Sequence, residues 1–200
     1  MFAPLPTVAG GFRCVSSDVP SPFRSNSEAR PGRNALRHYA CHSMAAFAAL
    51  PVSEIVAGDS YLFFWTTGPL IAVGAHIPVM RAWGFEPTAV AFVWVKLNLR
   101  APSTFFAERD LFFGPGLTTR KNAEYVVLGK RGHPERLARD VFEIILAPRR
   151  ESGRKSDEAY RRIERYCAGP RLDLFGRQSR LGWVIYGDEL GRAMIQFVLE

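Results

Sequence analysis

The feature that most constrains this chain is the alternation of short, densely apolar runs with segments patterned as helices. Residues 61–65 (YLFFW) and 89–97 (AVAFVWVKL) are compact apolar runs of the kind that forms buried strands. Residues 12–16, 125–128, 141–146, 172–175 and 183–186 read as further short strands. Between them, Ser43 caps a short helix that runs through Leu50 and stops at Pro51. Residues 69–83 read as one helix, with Pro69 near its first turn and Gly84 just past its end. Ser156 caps a third helix, which carries Asp157 and Glu158 at the positive end of its dipole. That helix runs to about Cys167 and ends at Gly169-Pro170. Residues 25–38 form a polar loop, and residues 98–116 are too long and irregular to be a mere connector. Strands alternating with helices predict an α/β domain with a mostly parallel sheet.

Composition narrows the class. Two hundred residues suit one domain spanning 1–200, and 48% apolar with 22% charged residues is the balance of a globular protein. Cys14, Cys41 and Cys167 are odd in number and lack metal-ligand spacing, which speaks for a reducing compartment rather than a disulfide framework. No basic stretch with a long apolar core opens the chain, so no signal peptide and a cytoplasmic location are expected. The longest uncharged apolar stretch, residues 61–77, is broken by Gly68, Pro69, Gly74 and His76, which predicts no membrane span. A net charge of +7 fits a polyanionic partner such as nucleic acid, or a surface that is basic only for solubility.

In a sheet of this kind ligands sit at the carboxyl ends of the strands, so the residues just after each strand carry the chemistry. Three groups stand there. Asp18-Val19-Pro20-Ser21-Pro22-Phe23 places an acid in a rigid proline turn, aimed at the cleft, though an ordinary turn has the same composition. Residues 147–158 (APRRESGRKSDE) place Lys155 just before a helix N-terminus, suited to a carboxylate or phosphate, or else form a solvated charged loop. Asp173-Leu174-Phe175-Gly176-Arg177, with the acidic strand end at Asp188 and Glu189, suits a ribose. Phe63, Phe64, Trp65, Phe92 and Trp94 are expected in the core rather than on a base-stacking surface. The four histidines show no ligand spacing, and no metal is expected.

Taken together these stretches resemble the MT-A70 family of adenine-N6 methyltransferases over residues 12–190. The likeness is carried by NSEARPGRNALRHY at 26–39, YLFFWTTGPL at 61–70, RAWGF with FVWVKLN between 81 and 98, and TTRKNAEYVVLGKRG at 118–132. APRRES at 147–152, RKSDE at 154–158 and LDLFGRQSRLGWVIYGDEL at 172–190 complete it. The likeness is to the bacterial and prophage branch. It implies a Rossmann-like methyltransferase domain with a permuted motif order, the acidic turn early and the glycine turn of the cofactor site late.

What the resemblance implies for single residues is specific. Asp18 and Pro20 match the first and third positions of the family's Asp-Pro-Pro-Trp motif and are the expected catalytic pair. Val19 replaces a proline and Ser21 replaces the tryptophan that would stack on the target base. Phe23, two residues on, is the candidate to replace it in part, and Lys96, Asn98 and Glu124 fall where the family contacts substrate or shapes the cleft. Lys155 matches the lysine that meets the methionine carboxylate of S-adenosylmethionine, and Phe175, Arg177, Asp188 and Glu189 complete the expected cofactor site. The expected reaction is methylation of adenine N6 in nucleic acid, DNA favoured over RNA. The alternative is a catalytically impaired relative that binds nucleic acid or cofactor, or supports a partner subunit.

Overall fold

The computed structural model describes residues 2–20, 42–102, 104–114, 116, 118–151 and 153–187. The expected loop over residues 25–38, Ser21, Phe23, Asp188 and Glu189 lie outside the described residues. The described chain runs β1 (Phe12–Ser17), α1 (Met44–Ala48), β2 (Val56–Thr66), α2 (Gly68–Ala72), α3 (His76–Ala82) and β3 (Glu86–Leu97). It continues with β4 (Ala123–Arg131), β5 (Ile144–Pro148), α4 (Asp157–Tyr166), β6 (Arg171–Leu174) and β7 (Trp183–Tyr186). The strands form one seven-stranded sheet in the order β5-β3-β4-β2-β1-β6-β7. Every neighbouring pair is parallel except the two that β4 makes, with β2 and with β3. The mostly parallel sheet expected from the sequence is therefore present. Its one reversed strand brings the first residues of β4 to the end where the parallel strands finish.

Both faces of the sheet are covered, which explains the unbroken apolar run in β2. Leu62 and Phe64 pack on one face with Phe47, Val79, Met80 and Trp83 from α1, α3 and the turn after it. Phe63 and Trp65 pack on the other with Phe92, Trp94 and the α4 residues Ala159, Tyr160 and Ile163. Successive strand side chains point to opposite faces, so a strand buried on both has no polar position to spare. The indole N–H groups of Trp83 and Trp94 keep partners in the core, donating to the carbonyls of Phe47 at 2.8 Å and Ala147 at 3.1 Å.

Four expectations about elements change. The single helix expected over residues 69–83 is two, α2 and α3, broken at Gly74. With φ of 64° Gly74 closes α2 in a left-handed cap, its N–H donating to Ile71 O at 2.9 Å and that of Ala75 to Leu70 O at 3.0 Å. Gly84 ends α3 in the same way. The fifth strand lies at Ile144–Pro148 rather than 141–146, and Arg162 of α4 donates to the carbonyls of Phe142 and Ile144. Ser156 occupies the N-cap of α4, but its side chain makes no capping hydrogen bond. The sixth strand stops at Leu174, because Phe175 turns into the left-handed region with φ of 64°. Among the described residues no helix is long and apolar enough to cross a membrane.

Candidate active site

Parallel strands that end together bring distant parts of the chain to one edge. β1 runs into Asp18, whose N–H donates to Leu174 O at 3.3 Å, so the acidic turn and the Phe175-Gly176-Arg177 turn emerge side by side. At the same edge Lys96 is the next-to-last residue of β3, Glu124 is the second residue of the reversed β4, and Lys155 stands two residues before α4.

These four side chains form a continuous ionic chain. Lys155 Nζ lies 2.8 Å from Asp18 Oδ2 and 3.0 Å from Glu124 Oε2, and Glu124 Oε1 accepts from Lys96 Nζ. Aromatic rings beneath the ammonium groups complete their surroundings, Trp65 at 5.3 Å from Lys155 and Trp94 at 5.0 Å from Lys96. Lys155 is only 10% exposed, and the four formal charges cancel. That cancellation is what allows charges so far from water.

The same partners set the ionisation of the chain. Burial alone would raise the Glu124 carboxyl, but Lys155 and then Lys96 outweigh it and hold it at about 2. For Lys155 burial works to lower the ammonium, and Asp18 and Glu124 override it and raise it above its ordinary value. Glu124 is thus a fixed anion at neutral pH and Lys155 a fixed cation.

A second wall faces the Asp18–Lys155 pair. One pocket is lined by Asp18, Lys155, Tyr160, Asp173, Gly176 and Arg177 among others. Asp173 is buried, and Tyr160 Oη donates to its Oδ2 at 2.8 Å. Burial pushes the Asp173 carboxyl up to about 7, against the hydrogen bonds from Tyr160 and Ser16. Gly153 has φ of 81°, and a Cβ there would overlap the Arg177 guanidinium, so the bare backbone of the loop before α4 seats that side chain. Asp157, in the first turn of α4, holds Arg150 from that loop and Arg180 at 2.8 Å from the segment before β7.

The structure therefore brings Asp18, Lys96, Glu124 and Lys155 together, and places Phe175 and Arg177 across the same pocket. The Phe175 ring packs inward against Phe47 at 5.2 Å and Tyr186 at 6.1 Å, so this residue shapes the turn. Pro20 follows the buried Val19 and is half-buried. Asn98 faces its own loop, its Nδ2 donating to the carbonyls of Arg109 at 3.0 Å and Leu111 at 3.1 Å. Tyr160 carried no distinguishing signal in the sequence, whereas Asp173 and Gly153 belong to the 173–177 turn and the 147–158 loop already singled out there, without their individual contacts being legible. The hydroxyls of Ser17, Thr66 and Thr67, at the ends of β1 and β2, are buried without a hydrogen-bond partner among the described residues.

A second cleft of about 360 Å³ opens beside the ionic chain, lined by Thr67, Lys96, Phe112, Arg120, Lys121 and Glu124 among others. Its volume lies in the range that small-molecule sites occupy.

Comparison with known proteins gives a consistent result. The MT-A70 family model matches residues 12–189. The chain is 33% identical over 147 residues to the Type II methyltransferase M.MunI of Mycoplasma sp, covering 70% of this chain and 55% of that protein. It is 28% identical over 141 residues to the human N(6)-adenosine-methyltransferase catalytic subunit METTL3, covering 68% of this chain and 23% of that protein. The N(6)-adenosine-methyltransferase MT-A70-like protein of Drosophila melanogaster is 30% identical over 137 residues, 66% of this chain and 21% of its own. The chain thus spans about half the length of the first relative and about a fifth of the other two.

Proposed function

The chain belongs to the MT-A70 family, its sheet is a Rossmann-like methyltransferase fold, and from that premise we propose that it transfers a methyl group from S-adenosylmethionine to adenine N6 in nucleic acid. We put DNA first as substrate, on the bacterial-type likeness of the motifs, and take residues 1–200 as one working domain. The observation that carries this reading is Asp18, which follows β1, pairs with Lys155 and lines the Arg177 pocket, while the same Lys155 joins it to Glu124 of the neighbouring cleft.

The residues present fit the cofactor. The unpartnered hydroxyls of Ser17, Thr66 and Thr67 and the seat of Arg177 on Gly153 are features of a polar ligand site. An ammonium has three donors, and Lys155 uses two on Asp18 and Glu124, which leaves one for the cofactor's carboxylate. Arg177 would border the ribose, as the family likeness implies. When bound, S-adenosylmethionine supplies a methyl group activated by its sulfonium.

The chain's own residues do the rest. The adenine amine is a poor nucleophile because its lone pair is delocalised into the ring. Asp18, a carboxylate with acceptor sites beyond the one given to Lys155, accepts a hydrogen bond from that amine and turns its lone pair toward the methyl group. Orientation of this kind supplies much of the rate. With the cofactor bound, the new N–C bond would form as the sulfonium's C–S bond breaks to leave a thioether, and the amine's proton would pass by way of the Asp18 hydrogen bond to water. Glu124, kept as an anion by Lys155 and Lys96, serves to hold Lys155.

The test is transfer of a labelled methyl group to adenine-containing DNA and RNA oligonucleotides, compared with oligonucleotides lacking adenine. Transfer should require adenine, and Asp18→Asn should abolish it while calorimetry still detects cofactor binding. Cofactor binding by the parent without transfer to any oligonucleotide would hand the function to the non-catalytic alternative, for which Ser21 in place of the motif tryptophan is the argument.

A further inference from the structure

Four phenylalanines stand on the segment that joins β3 to β4, and one of them, Phe112, lines the cleft. Phe105 is 96% exposed, Phe113 71% and Phe106 39%, while Phe112 forms part of the cleft wall. Phe105 also holds a φ of 57°, in the left-handed region that a side chain disfavours. Three rings kept in water, one of them on a strained backbone, call for a reason beyond packing.

Two of these rings carry a guanidinium. Arg120 lies 4.3 Å from the centroid of Phe113, and Arg149 lies 5.1 Å from that of Phe112. The segment is also anchored. Leu97 bridges to Leu111, Asn98 holds the carbonyls of Arg109 and Leu111, Phe112 N donates to Lys96 O at 2.8 Å, and Asp110 Oδ2 accepts from Ala107 N at 2.8 Å. Residues 98–121 contain four cations (Arg100, Arg109, Arg120 and Lys121) against two carboxylates (Glu108 and Asp110).

Exposed aromatic faces interleaved with arginines beside a basic cleft match the chemistry of unpaired nucleotides. Bases stack on the rings and phosphates pair with the guanidinium groups, whereas a duplex keeps its base faces stacked on each other. We propose that residues 104–113 form a stacking platform for unpaired nucleotides flanking the target base, so that this protein takes single-stranded nucleic acid. The proposal rests on the reading of nucleic acid as substrate. It accounts for Asn98 as well, which acts as a positioning residue for the platform.

Fluorescence anisotropy on one labelled, adenine-containing sequence, as single strand and as duplex and without cofactor, tests it. The parent should prefer the single strand at equal salt. Phe113→Ala and Phe105→Ala should each weaken single-strand binding roughly 5- to 100-fold, the range expected for one stacked base. Because neither ring carries charge, the salt dependence should keep its slope, and Phe113→Trp should keep the affinity. An unchanged urea midpoint for these exposed positions confirms that the fold is intact. Equal binding of both strand forms, or parental affinity in the alanine variants, overturns the proposal. So does a change confined to the oligomeric state seen by light scattering, which assigns the loop to a protein partner. A parent that binds single strands through these rings yet transfers no methyl group leaves the platform standing and removes the methyl-transfer reading. Methyl transfer with unaltered binding by the alanine variants does the reverse.

Discussion

Lys155 is the residue on which most of the site depends, because two carboxylates face each other across it. Replacing it by methionine leaves Asp18 and Glu124 without their shared cation in a poorly solvated place. Removing one partner of such a buried pair costs about 3–5 kcal/mol, so Lys155→Met should lower the urea midpoint markedly as well as weaken cofactor binding. A variant that loses cofactor affinity at parental stability would show that Lys155 meets the cofactor without holding the carboxylates. Asp173 makes a different prediction at this scale. Its folded carboxyl is raised from 3.8 to about 7, so the native state keeps a proton that the unfolded chain has already lost. Its stabilising contribution is therefore complete at acid pH and is lost as pH rises through that window, at a limiting slope of about 1.4 kcal/mol per pH unit. Asp173→Asn should remove this slope, so thermal unfolding at pH 5 and pH 8 should show the variant gaining on the parent at the higher pH. A constant difference between the two proteins would place the Asp173 carboxyl back in the ordinary range. The sequence marked Lys155 through its place before a helix, but nothing in RLDL showed that its acid would be sealed under Tyr160.

At the scale of elements, the loop from β5 to α4 does more than connect. Arg150 reaches Asp157 in the first turn of α4, Arg180 meets the same carboxylate, and Gly153 lets the backbone pass beneath Arg177. Gly153→Ala puts a side chain at φ of 81° and drives Arg177 from its seat. The backbone strain alone is about 1–2 kcal/mol, and cofactor affinity should fall with it. The two positions should be coupled, so Gly153→Ala should weaken binding much less when Arg177 is already alanine. Calorimetry on the four proteins of that cycle measures the coupling, and additive effects would mean that the contact contributes nothing to the site. Element types were mostly legible in advance, since apolar runs and caps are local signals. The break at Gly74 was not, because a glycine inside a helical pattern is also tolerated as a helix residue, and only the Leu70 and Ile71 carbonyls show that it closes α2.

Across the whole molecule, the sheet sorts basic residues that the sequence presents alike. Arg120-Lys121 and Arg149 lie at the rim of the cleft, whereas Lys130-Arg131 ends the reversed strand β4 at the opposite edge, where Arg131 donates to Ser53 O at 2.7 Å. If phosphates bind at the cleft, Arg120→Gln with Lys121→Gln should flatten the salt dependence of oligonucleotide binding by roughly one to two in log–log slope. Neutralising Lys130 should leave it nearly unchanged, and equal effects at the two ends would make the attraction a property of net charge alone. By itself the sequence determined the α/β class and the buried strands around Phe63, Trp65, Phe92 and Trp94. Those properties follow from periodicity, caps and turn residues, which act over a few neighbours. Only the tertiary structure decided that β4 runs backwards, that Glu124 thereby meets Lys155, and that Asn98 holds the carbonyls of Arg109 and Leu111. An apolar run has the same pattern in either direction, and a charge does not reveal its partner until the chain between them has folded.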